Sequence, residues 1–190
     1  SQPGLALEAA FDAFMRPPYF PVGIADLAGV VAFHDVVDAD FAVGDAKVRA
    51  RQVPHVGLTN GYRIEWEGAS VAYISDHQQP LDGGYAVADS VLELCEGVDL
   101  LIHDSQFTRE EFTEKAHWGH CTIDYAVHVA AEAGARRLVL FHHDPGHHDG
   151  ALDELTEYAR GLDDAARLDE VICAQEGLTV SLGTPVTARR

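Results

Sequence analysis

One pattern, used three times, limits most strongly what this chain can fold into: an apolar run that stops abruptly in ionisable side chains. Leu138-Val139-Leu140-Phe141 ends in His142-His143-Asp144-Pro145, Val71-Ala72-Tyr73-Ile74 ends in Ser75-Asp76-His77, and Val98-Asp99-Leu100-Leu101-Ile102 ends in His103-Asp104-Ser105. Short apolar runs bounded by charges and turn residues fit strands covered on both faces. In open α/β sheets such strands deliver polar residues to the crevice beyond their carboxyl ends, where ligands bind. A histidine in such a place can also do no more than cap its strand by bonding a backbone carbonyl. The density of histidines argues for more: eight of the eleven lie between His103 and His148, which points to metal or acid-base chemistry.

The rest of the chain reads as alternating helices and strands. Leu7, Ala10, Phe11 and Phe14 mark one face of a helix over Leu5 to Met15, stopped by Arg16-Pro17-Pro18. Strands are predicted over Val30 to Val37, Phe41 to Val43 and Lys47 to Val53. A hairpin follows, with Tyr62 to Trp66 and Val71 to Ile74 joined by Glu67-Gly68-Ala69-Ser70. Helices are predicted over Val87 to Cys95, over Thr108 to Lys115, from Thr122 as N-cap to Ala133 before Gly134, and over Asp149 to Arg160. Val171 to Ala174 and Leu178 to Leu182 read as a closing hairpin.

Composition narrows the class. At 190 residues the chain reads as a single domain, 1–190, and 47% hydrophobic residues fit a globular one. A net charge of −18 repels polyanions at long range, so a long nucleic acid is disfavoured as a partner. Cys95, Cys121 and Cys173 share no short spacing and suggest neither a disulfide framework nor a thiolate zinc site. With no signal-peptide pattern and no apolar run long enough for a bilayer, the expectations are a cytoplasmic protein and no membrane partner.

In order along the chain, Gly61-Tyr62-Arg63-Ile64, Tyr73-Ile74-Ser75-Asp76, His103-Asp104-Ser105, Gly119-His120-Cys121-Thr122, Leu138 to His142 and Ala174-Gln175-Glu176-Gly177 resemble the carboxyl-terminal half of metallo-β-lactamase-fold hydrolases, ribonuclease Z-like and phosphodiesterase branch. The resemblance implies an α/β fold, a four-layer αββα sandwich of which this chain supplies mainly the second half. It implies Asp76 as a carboxylate bridging two metal ions and His142 as a terminal ligand of one. His120 matches the histidine of a Gly-His-Ser-Thr loop, with Cys121 in place of the serine, and would act near the scissile phosphate. His103 and Asp104 match a His-Glu-Ala-Thr segment whose acidic residue supports that histidine, although the acid here is shorter. His55 corresponds to a histidine common at its position and is not counted as a ligand. The His-x-His-x-Asp-His motif that completes the family's metal sites does not occur in this sequence, so the chain reads as part of a longer protein.

The cofactors so implied are two divalent ions, zinc first, with manganese or iron as alternatives. The function implied is phosphodiester hydrolysis by a hydroxide that the two metals activate, on a small-molecule or phosphodiester substrate; a homodimer is left open, the sequence not fixing the oligomeric state. The alternatives are hydrolysis of a thioester, lactone or amide, or a non-catalytic binding module built on the same fold. His143, His147, His148 and Asp149 read as solvated loop residues, and Cys121 as a small residue at a helix start.

Overall fold

The computed structural model describes residues 6–182. Helix α1 spans Leu7–Phe14. Strands β1 (Ala39–Val43), β2 (Ala46–Gln52), β3 (Asn60–Trp66) and β4 (Ala69–Ile74) form an antiparallel meander. The β3–β4 turn places Glu67 and Gly68 at positive φ, 48° and 82°, the geometry that joins two twisted strands with two residues. After β4 the chain alternates: α2 (Asp89–Cys95), β5 (Leu100–Asp104), α3 (Arg109–Lys115), α4 (Ile123–Glu132), β6 (Arg137–Phe141), α5 (Asp149–Arg160) and β7 (Glu170–Cys173). The seven strands of the described residues lie side by side in chain order, and β4 to β7 are mutually parallel.

Each parallel step advances in the same direction across the sheet, so right-handed crossovers put their helices on one face. Ala72, Ile74, Leu101, Leu138 and Leu140 meet Val91, Leu94, Val127 and Ala130 there in one buried cluster. Alternation sends Tyr62, Ile64, Trp66, Tyr73 and Phe141 to the opposite face, where Tyr73 and Phe141 pack at 5.8 Å and Ile64 and Trp66 are exposed. One sheet and one helical layer are half of the four-layer arrangement expected.

Two predicted strands are corrected. Val30 to Val37 carries the alternation but has no strand partner among the described residues; its ties to the rest of the chain include the Asn60 side chain donating to the Val36 carbonyl and Asp35 accepting from the Leu7 N–H, and Val30 is wholly exposed. The closing hairpin is absent as well: β7 pairs in parallel with β6, and residues 178–182 form no strand. Among the described residues no helix is long and apolar enough to cross a membrane.

At Gly61 the sheet lies close against α2. A Cβ there would lie 2.8 Å from Leu94 Cδ1 and 3.1 Å from both Ile74 and Val53. Gly61→Ala is expected to destabilise by about 1–3 kcal/mol through overpacking, and Leu94→Ala by about 2–5 kcal/mol through a cavity. Denaturant titration of the double variant should give less than the sum of the two losses, because the added methyl occupies space that Leu94 vacates.

Candidate metal and acid-base site

Parallel pairing of β4, β5 and β6 brings the residues after their carboxyl ends to one rim of the sheet. Antiparallel β3 starts at that rim, so the loop before it, with His55, arrives there too. Asp76 and His142, 66 positions apart, meet with His142 Nε2 3.9 Å from Asp76 Oδ1, each side chain about one-third exposed. His142 holds φ at +57°, an uncommon conformation for a residue with a Cβ and one that recurs at functional sites. The Ser75 hydroxyl donates to Asp76 Oδ2.

His120 stands over this pair, its ring centroid 4.7 Å from that of His142. The short 3-10 turn Ala116–Trp118 and Gly119, at φ +103°, carry it there, and the Gln78 amide ties the turn by donating to the Ala116 carbonyl. Helix α4 fixes the far end of the loop: the Thr122 hydroxyl accepts from the Tyr125 N–H, and buried Gln79 Oε1 accepts from both the Thr122 N–H and its hydroxyl.

Asp104 sets the chemistry of His120. Its carboxylate is fully buried and accepts from His120 Nδ1 at 2.7 Å, from the His77 N–H at 3.0 Å and from the Gln106 N–H at 3.1 Å. Partial burial alone would disfavour a charged His120 ring. The bond from Asp104 and the negative charges of Asp104 and Asp76 outweigh it, so the His120 pKa lies above the ordinary histidine value.

His103 is brought not into the site but beneath it. Completely buried, it donates from Nδ1 to the Asp104 carbonyl at 2.6 Å, which leaves Nε2 to accept from His77 Nδ1 at 2.9 Å. Burial pushes both imidazoles below the ordinary value, that of His77 well below, so both are neutral. His103 therefore touches nothing that reacts; it supports Asp104. Cys121 donates its thiol to the same Asp104 carbonyl at 3.0 Å and is raised well above the usual thiol range, first by burial and then by the Asp104 charge, which removes it as a nucleophile.

The later histidines are occupied elsewhere. His147 Nε2 lies 2.9 Å from Glu111, His148 caps α5 by accepting from the Ala151 N–H, and His143 Nε2 donates to the Ala174 carbonyl at 3.3 Å.

His55, not counted as a ligand from the sequence, belongs to the rim. One donor atom each of His55, Asp76 and His120 lie within 4.8 Å of one another.

A family model described as a beta-lactamase superfamily domain matches residues 6–143. The chain belongs to that superfamily. It has the metallo-beta-lactamase fold and is ribonuclease Z-like in sequence. It is 39% identical to ribonuclease Z of Sulfolobus acidocaldarius over 87 residues, 46% of this chain and 26% of that protein. The metallo-beta-lactamase fold protein YhfI from Bacillus subtilis superposes with a TM-score of 0.59 at 26% identity, covering 78% of this chain and 54% of that one. The short form of human tRNase Z gives a TM-score of 0.56 at 22% identity over 76% of this chain and 46% of that one, a likeness of fold. The chain thus spans about a quarter of the length of the ribonuclease Z that it matches.

Within this superfamily scaffold, Gly119 makes room for His55. A Cβ on Gly119 would sit 2.7 Å from His55 Nε2, and its φ disfavours any side chain. Gly119→Ala is expected to destabilise by more than about 1 kcal/mol in denaturant titration and to displace the His55 ring, seen as a changed imidazole resonance. A variant as stable as the parent, with an unmoved resonance, would contradict this packing.

Proposed function

We propose that the protein is a metal-dependent hydrolase acting on phosphodiesters. The observation that carries the reading is the meeting of Asp76 and His142 beside a histidine held by a buried carboxylate. The donors fit a divalent ion of zinc type. Bonds of about 2.0–2.2 Å set two tetrahedral ligands roughly 3.3–3.5 Å apart. The 3.9 Å between Asp76 Oδ1 and His142 Nε2 reaches that by a shift of a few tenths of an ångström. Asp76 and His142 would hold the ion, and Asp76 has a second oxygen with which to bridge to another. When bound, such ions polarise a phosphoryl oxygen and lower the pKa of a water from roughly 15.7 toward about 7.

The remaining work falls to this chain's own groups. Because Asp104 accepts from Nδ1, the protonated form of His120 is favoured, and in that form Nε2 can give a departing alkoxide the proton it needs. A positioned acid of this kind contributes about 10²- to 10⁴-fold. Asp104 is a positioning residue: it fixes the ring and stabilises its positive charge. His77 and His103, neutral and buried, keep Asp104 in place without competing for its charge.

The relative from Sulfolobus acidocaldarius is named ribonuclease Z, which favours a phosphodiester over other substrates of this fold. A net charge of −18 opposes a long polyanion, so small or cyclic phosphodiesters are the class proposed.

Elemental analysis and turnover of bis(p-nitrophenyl) phosphate test the reading together. Asp76→Ala should lose metal and activity at once, and a variant that kept both would refute the assignment. Asp104→Asn should keep its metal and lower kcat by about 10²-fold or more with little change in KM, because the acid alone is disturbed. Unchanged kcat there would remove His120 from the reaction.

A further inference from the structure

We propose that His55, Asp76 and His120 form a divalent-cation site of their own, complete within this chain and distinct from the pairing of Asp76 with His142. One donor atom from each of the three lies within 4.8 Å of the others, close enough to converge on a single ion with small side-chain shifts. The set is two imidazoles and a carboxylate, the borderline nitrogen and oxygen donors that zinc takes.

The hydrogen bonds of the two rings are those of ligands. His55 Nδ1 lies 3.0 Å from the Val56 carbonyl, which can only accept, so Nδ1 carries the hydrogen and Nε2 presents a lone pair. That Nε2 is buried and has no hydrogen-bond partner among the described residues, an arrangement that costs free energy unless something occupies it. His120 has the same arrangement, with Nδ1 on the Asp104 carboxylate at 2.7 Å and Nε2 turned to the rim. Histidines that bind metals characteristically give their other ring N–H to a carboxylate or a backbone carbonyl, which orients the ring and strengthens the donor nitrogen. The absent side chain at Gly119 is what lets His55 Nε2 approach, since a Cβ would come within 2.7 Å of it.

Asp76 can serve both arrangements, because its two oxygens are separate donors and Oδ1 is the one that faces His142. His120 cannot. A nitrogen that holds a cation carries no proton, so, resting on the reaction proposed above, occupation of this site withdraws the acid and excess divalent cation inhibits.

The test is a zinc titration of the 190-residue chain after treatment with chelator, followed by calorimetry and by the imidazole NMR signals. One zinc ion should bind with the His55 and His120 ring signals moving together, and His55→Ala should weaken that binding at least tenfold. His147→Ala, whose ring pairs with Glu111, should bind as the parent does. Binding unchanged in His55→Ala, or a titration of the unaltered chain in which only the His142 signal moves, overturns the proposal and leaves the Asp76 and His142 reading standing. Failure of that reading would show separately, as turnover independent of metal in a chain whose His55 still binds zinc.

Discussion

Parallel pairing of β4, β5 and β6 is the constraint on which everything at the rim depends. Tyr73 lies opposite Ile102, and Ile102 opposite Val139, so the three strands end at the same level and release Asp76, Asp104 and His142 together. A shift of register by one residue would invert every side chain along the slipped strand. It would exchange buried Leu140 for Phe141 against the helices and carry His142 away from Asp76. The apolar cluster that prevents this slip is the one built from α2, α4 and the helix-facing residues of the strands. Packing several turns away from the site therefore sets its geometry.

Asp104 is the second fixed point, and its burial is what gives it leverage. A carboxylate with no exposed surface is tolerated because two backbone N–H groups and His120 Nδ1 donate to it. Away from water its charge acts on His120 with little screening, which is how a ring on a loop gains affinity for a proton. The neutral pair His77 and His103 completes the arrangement with a single consistent direction of donation that runs from His77 Nδ1 to His103 Nε2 and from His103 Nδ1 to the Asp104 carbonyl.

Much of this was legible in the sequence, because an apolar run followed by His or Asp is a local signal of a strand end. Helix α5 matches its predicted span, and Thr122 is the cap it was expected to be. What escaped depended on direction or on distant partners. His103 was matched to the segment that supports His120 without its direction being read; it lies in register with Ile74 and Leu140, both buried on the helical side, and alternation from Leu101 sends it there as well. That parity could have been read once β5 was placed. His55 had no such signal: it sits in an aperiodic loop, and only the start of antiparallel β3 at the rim brings it in. Val30 to Val37 failed for the opposite reason, since alternation shows which side of a strand would be buried but supplies no neighbour to pair with.

The central claim is that Asp76 and His142 share a cation. Anomalous diffraction at the zinc absorption edge from zinc-loaded crystals measures this most directly. Whatever else the crystals bind, the account predicts an ion with an Asp76 oxygen and His142 Nε2 both at about 2.0–2.2 Å. Zinc-loaded crystals with no ion held between Asp76 and His142, the His142 ring remaining turned to solvent, would contradict it.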